Sequence, residues 1–396
     1  MLGSASIGIF CYVLLQMVVS ALILSYTIKV MKTLGVRKRF RYAALLIYGV
    51  IPLFSNYLTQ VMKDSLYSIF VVLLITLITE SLLGQKATVF HMICIGLTAI
   101  GVCLLRNNGI YIIYALLIGL ILCNIIKRQK IYILLLFPFI VAVIINTSYN
   151  SILLPSLGIQ SGSVKEALSI PFQQTARYVK EYPEEVTEEE AYIISEVLDY
   201  ENLAELYNPD LSDSVKGTYT GKNEMLPAYF RVWFSMFLKH PGVYLEATLN
   251  NCYAFFYVNV GGMQSNGIII TTQNLDEELQ FDEFENMFKW RVRLRRAIIQ
   301  FSQLPLISLL CNCGVHFWIA IYLTIKLSVN RHGKLLLLLI PSAVGILVCI
   351  AGPTYYNCGL RYALPIIYAN PFLVSISGKL LNDYKLSEGE LKKCEC

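Results

Sequence analysis

Charge is scarce in this chain: Asp, Glu, Lys and Arg make up 15% of its 396 residues, while 56% are hydrophobic. A soluble domain carries about 25% charged residues, so an ordinary water-facing globule is excluded. A disordered chain is excluded too, because it needs low hydrophobicity. Histidine is scarcer still: His91, His240, His316 and His332 are dispersed and carry no zinc-site spacing. There is no Walker A pattern and no G-x-G-x-x-G following a strand, so neither a nucleotide-sugar donor nor ATP drive has support. Nothing points to nucleic acid as a partner. The opening MLGSASIGIFCYVLL lacks a basic n-region and a small-residue cleavage site, which sets aside a secretory signal. The 11 cysteines are scattered through apolar segments such as HMICIGLTAIGVC and form no disulfide framework. The C-x-C pairs Cys311/Cys313 and Cys394/Cys396 each lack a second ligand pair, so no divalent metal is indicated by the sequence, and the cofactor is left open.

What the chain does have is apolar runs of roughly 17 to 25 residues, enough to span a bilayer as helices. Candidate spans lie near 6–28, 43–59, 66–83, 89–105, 110–126, 131–147, 304–326, 335–351 and 363–378. Lys and Arg orient them, because short cytoplasmic loops retain positive charge. Placing 29–41, 84–88, 127–130, 326–334 and 379–396 inside collects seventeen basic residues, whereas the short outer loops hold Lys63, Arg106 and Arg361. The expected N-terminus is then outside and the C-terminus cytoplasmic. The fold class is an all-α polytopic membrane protein of about nine transmembrane helices, with one mainly helical extracytoplasmic domain between spans six and seven. In residue terms, 1–148 holds helices one to six, 149–296 the outer domain, 297–378 helices seven to nine and 379–396 a cytoplasmic tail.

The 149–296 stretch holds 21 of the 27 acidic residues. Most of these carboxylates read as a solvated surface. Thr187 and Glu190 have capping-box spacing at a helix start. HPGVYLEATLNNCYAFFYV carries apolar residues at helical spacing after a Pro-Gly. WRVRLRRAIIQF sets Trp290, Arg291, Arg293, Arg295 and Arg296 before the seventh span, as an interfacial anchor or a hold on lipid phosphates. An N-terminus outside is unusual for such a beginning, and the expectation is that one span and its outer loop precede residue 1.

The outer loops carry the candidate site. Asp64 is the one acidic residue in a short outer loop, and a carboxylate near hydrocarbon is a functional candidate by default. The plainer alternative is local pairing with Lys63, which is worth little if exposed. In LLRNNGIY, Asn107, Asn108 and Gly109 read as a tight turn tolerant of positive φ, but Arg106 is left over as a donor suited to phosphate. In GPTYYNCGLRYALPIIY, Arg361 stands among Tyr355, Tyr356 and Tyr362, with an aromatic belt as the plainer account of the tyrosines. One carboxylate and three cations on one face fit a phosphate-bearing lipid and a charge stabiliser.

These residues carry a resemblance. VMKDSLYSIFVVLL after the Pro-containing YGVIPLFSNYL, then LLRNNGIY, SIPFQQTARYVKEY and GLRYALPIIY, resemble an uncharacterised group of bacterial multi-pass proteins. That group is similar to the GT-C glycosyltransferases, which include protein O-mannosyltransferases and lipid A aminoarabinose transferases. The resemblance implies a polyprenyl-phosphate sugar donor and transfer to an envelope acceptor on the outer face. It implies a catalytic role for Asp64, donor-phosphate contacts from Arg361, Arg106 and Lys63, and substrate contacts from Tyr362, Asn107, Asn108, Gln173 and Gln174. Gln173 and Gln174 read equally as a polar helix turn after Pro171. The family's first-loop carboxylate would precede residue 1, so the chain is expected to be incomplete, inactive, or an enzyme in which Asp64 alone serves. Membrane lipids and a lipid-linked sugar are the expected partners. A transporter or flippase for an envelope lipid or polysaccharide, and an envelope polysaccharide polymerase or ligase, remain open.

Overall fold

Helices account for every regular element among the described residues of the computed structural model, which are 5–159, 162, 164–258, 285–330, 333–352, 354–355 and 359–394. His332, Tyr356 and Cys396 lie outside them, and the side chains of Arg291 and Cys394 lie outside the description as well. The first half runs α1 (Ala5–Thr33), α2 (Lys38–Val50), α3 (Pro52–Leu58), α4 (Lys63–Leu83), α5 (Val89–Leu105), α6 (Gly109–Lys127) and α7 (Lys130–Ser148).

Among the described residues, six helices are long and apolar enough to cross a membrane: Ile7–Thr33, Lys63–Leu83, Gly109–Lys127, Lys130–Ser156, Gly333–Ala351 and Leu360–Leu381. Val89–Leu105 and Cys313–Val329 are shorter apolar helices. At 17 residues each they stand at the lower end of the length that crosses a hydrocarbon core, about 17 to 25 residues. These features fit a multi-pass membrane protein.

Two of the nine expected spans are not single helices. Residues 43–59 are not one helix: α2 ends at Val50, Ile51 is extended at φ −72° and ψ 121°, and Pro52 opens α3. Proline removes a backbone donor and drives the residue before it out of the helical region. Residues 304–326 divide without a proline at the break, into Pro305–Leu310 and Cys313–Val329; Asn312 is extended between them and its side chain accepts from the Val315 N–H at 3.2 Å.

Two helices form the middle of the bundle. In α4 and in Leu360–Leu381, 72% of the apolar window is buried, against 17% in α1. Helix α4 carries apolar residues around most of its circumference and packs on α1, α5 and the last helix, as a helix surrounded by others must. Exposed apolar side chains such as Phe10, Leu22, Ile126 and Phe137 line the outside, where lipid replaces water.

A second, smaller hydrophobic cluster gathers Phe172, Tyr178, Ile194, Leu198, Tyr229 and Met236 with their neighbours. Its helices are Ser169–Glu181, Glu188–Ser195 and Leu226–Lys239. The Thr187–Glu190 capping box is present in both directions, with Thr187 N–H donating to Glu190 at 3.0 Å and Glu190 N–H to Thr187 at 3.2 Å. Helix Pro241–Phe256 ties the two clusters together: Val243 and Tyr244 belong to the smaller one, Cys252, Ala254 and Phe255 to the bundle.

Candidate functional site

Helix α4 starts where Met62 is extended, and it puts Asp64 in its first turn, where the positive end of the helix dipole favours a carboxylate. Successive helical residues point about 100° apart, so Lys63 and Asp64 cannot share a face. Lys63 is exposed and Asp64 is buried. The plainer alternative, local pairing with Lys63, is therefore not what the structure shows. Asp64 is instead bonded by the Arg106 guanidinium, which arrives from the end of α5. Both partners are almost fully buried, with side-chain exposures of 10% for Arg106 and 5% for Asp64. A pair taken this far out of water gains little net stability, so its presence is better explained by what it positions.

Arg106 is held on its other side by aromatic faces. Its guanidinium lies 4.0 Å from the Tyr362 ring centroid and 5.8 Å from that of Tyr67, within cation–π range. Arg361 approaches the same Tyr362 ring at 5.1 Å and donates to the Tyr362 hydroxyl at 3.3 Å. The starts of α4, α6 and the last helix and the end of α5 thus meet in one layer. The polar stretch reaches this layer through Asn251, which donates to the Gly352 carbonyl at 3.1 Å, and through Phe255, whose ring stands edge-on to Tyr355 at 5.2 Å. Tyr355 is buried there, not arrayed as a belt residue.

The Asn107-Asn108-Gly109 turn is built differently from expectation. No positive φ occurs at these positions. Gly109 is needed for space, because a Cβ there would fall inside contact distance of the Val102 carbonyl oxygen. Asn107 is exposed and Asn108 half-buried at the start of α6, so both border the ion pair by position in the chain.

Gln173 and Gln174 are elsewhere. Both are buried in the smaller cluster. Gln173 donates to the Asn208 carbonyl at 2.8 Å, and Gln174 bridges Thr248 at 3.0 Å and Trp233 at 3.0 Å. They tie Ser169–Glu181 to its neighbours and are not brought together with Asp64. The histidines are also dispersed: His91 lies 3.1 Å from Ser81, His240 stacks on Tyr182 at 3.8 Å, and His316 meets Asn370 at 3.2 Å. Cys311 and Cys313 are free, buried thiols.

Tyr67 is the site residue that sequence reading missed. A signal for it existed, since Asp64, Tyr67 and Ser68 stand at i, i+3 and i+4 and so share one helix face. Ser68 donates to the Asp64 carbonyl at 2.7 Å, which keeps that face polar at the start of a buried helix.

A model of the family described as "Family of unknown function (DUF6020)" matches residues 1–379. The chain belongs to that family. No curated protein and no solved structure matches it. Membership in DUF6020 assigns no chemistry, and nothing in the match carries glycosyl transfer. The functional reading of this DUF6020 chain therefore rests on the layer around Asp64 and Arg106.

Proposed function

We propose that this chain is a membrane glycosyltransferase-like protein, moving a sugar from a polyprenyl-phosphate donor to an envelope acceptor at the bundle end that carries Asp64, Arg106 and Arg361. The observation behind this reading is the pair of guanidinium groups gathered on the Tyr362 ring beside one buried carboxylate. Planar guanidinium donors match phosphate oxygens. In the transfer, an acceptor hydroxyl or amine forms the new bond to the anomeric carbon, and the bond from that carbon to the phosphate oxygen breaks. Polyprenyl phosphate leaves with the electron pair, and Arg361 and Arg106 neutralise the charge as it develops. The acceptor proton passes to a carboxylate. Asp64 first fixes Arg106 in place, and it takes the proton itself only by exchanging that ion pair. Lys63, exposed at the same helix start, adds positive charge at the approach.

Transfer from a synthetic polyprenyl-phosphate sugar, measured in membranes carrying the full chain, tests the reading. Asp64→Asn and Arg361→Ala are expected to lower the rate by about tenfold or more, the range for removal of a charge stabiliser. No transfer by the unmodified chain, or unchanged rates in both variants, overturns it.

A transport reading has one observation in its favour. A line of polar groups follows the α1–α4 contact, from Gln16 bonded to the Leu58 and Gln60 carbonyls, past Thr27 and Thr76 at 3.2 Å, to Tyr26 on Glu80. Thr76 also donates to the Val72 carbonyl of its own helix at 2.8 Å. Uptake of a labelled envelope lipid into proteoliposomes without any acceptor would favour transport.

A further inference from the structure

Helix Glu285–Ser302 touches the bundle at α3. Its sequence places Lys289, Arg293, Arg296 and Gln300 at i, i+4, i+7 and i+11, a single stripe. Trp290, Leu294, Ala297 and Phe301 repeat that spacing on the adjoining stripe. The two stripes are exposed side by side: Trp290 is 66% and Leu294 61% exposed, and Lys289, Arg293 and Arg296 face outward with them. The Arg293 guanidinium lies 5.8 Å from the Trp290 ring, so the stripes are in contact at their shared edge.

Neither water nor hydrocarbon suits such a surface. Water leaves the Trp and Leu stripe unburied, and hydrocarbon strips the three cations of solvation. From Asn286 to Ser302 the helix contains no acidic residue, although the 149–296 stretch around it holds most of the chain's carboxylates. Among the described residues, Arg293 and Arg296 enter no ion pair. A layer that offers anionic oxygens immediately above acyl chains satisfies both stripes at once, and that layer is the headgroup region of a bilayer.

We propose that Glu285–Ser302 lies in the membrane surface and binds the phosphates of anionic phospholipids through Lys289, Arg293 and Arg296, with Trp290 and Leu294 seated at the acyl boundary. The contact with α3 places this surface next to the segment that leads into Lys63. Phosphate-bearing lipid is thereby concentrated beside the Asp64–Arg106 layer. The proposal stands independently of any transfer reaction, because it concerns lipid preference alone.

The test uses the full chain in phosphatidylcholine vesicles containing brominated-chain phosphatidylglycerol or, at equal mole fraction, brominated-chain phosphatidylcholine. Trp290 emission is obtained as the difference between the unmodified chain and Trp290→Phe. The glycerol lipid is expected to quench Trp290 about twofold more strongly than the choline lipid, in line with about fivefold enrichment per cation at an anionic surface. That preference should disappear in Lys289→Gln/Arg293→Gln/Arg296→Gln and shrink at high salt. Equal quenching by both lipids overturns the proposal, as does no quenching by either. Loss of the preference on adding millimolar inorganic phosphate also overturns it, by making a soluble anion the ligand.

Discussion

The bundle and the acidic stretch both use ion pairs, under opposite rules. In the smaller cluster each pair keeps a partner in water: Lys222–Glu196 at 46% and 26% exposure, Lys216–Asp213 at 15% and 64%, Arg177–Glu246 at 11% and 63%. Asp64–Arg106 is the pair among the described residues that buries both sides. Exposed pairs can be lost singly at little cost. A buried pair is indivisible, since either partner left alone is an unpaired charge out of water. Redundant pairs suit a surface that has only to stay hydrated and folded. A lone buried pair suits a position where two helix ends must keep one geometry.

Removal of one partner breaks that comparison most sharply. Arg106→Gln is expected to destabilise the bundle by about 3–5 kcal/mol, read as a lower unfolding midpoint in detergent. Asp64→Asn combined with Arg106→Gln is expected to recover much of that loss, because no lone charge remains. A double variant as unstable as the single one would show that the pair is not the indivisible unit described here.

Glu190 gives an intermediate case. Burial works to raise its pKa, but the Thr187 N–H and Lys239 outweigh burial and hold it below the ordinary 4.5. Its folded pKa is depressed, so its stabilisation is present above the ordinary value and is lost as pH falls through the folded value. Glu190→Gln is expected to weaken the Glu188–Ser195 helix by about 1 kcal/mol at pH 7, the scale of a helix cap. The gap between variant and unmodified chain should close in acid, which hydrogen exchange across that helix measures. The smallest effect belongs to Lys222→Ala, expected to leave protection unchanged in the same exchange experiment, because an exposed pair is screened by solvent. A measurable change there would remove the contrast between the two regions.

Much of the bundle was legible in the sequence, because hydropathy registers continuous apolar runs. The expected 89–105, 110–126 and 131–147 correspond to Val89–Leu105, Gly109–Lys127 and Lys130–Ser148. It fails at 43–59 and 304–326, since an averaged window is blind to a break in the backbone. Pro52 marked the first place, through the missing donor and the constraint on the residue before; the second was marked by Asn312, whose side chain caps the helix that follows. The site was half legible. Asp64, Arg106, Arg361 and Tyr362 were recognisable as polar groups at the ends of apolar helices. The partner of Asp64 was not legible, because Arg106 stands 42 residues along the chain and reaches it only through the packing of α5 on α4. Gln173 and Gln174 were drawn toward the site by a motif, whereas their position in a packed core follows from tertiary contacts that a motif does not encode.

Gly109 carries a consequence beyond its own turn. The chain reverses between α5 and α6 with the Gly109 Cα against the Val102 carbonyl, in a gap with no room for a methyl group. Arg106 sits inside that reversal, three residues upstream. Its reach to Asp64 is thus set by the clearance between two backbones, in the way the throw of a lever is set by its pivot. Widening the gap by one carbon is expected to swing the guanidinium away from the carboxylate and from the Tyr362 ring together, so a residue without a side chain sets the alignment of Arg106 with both of its partners.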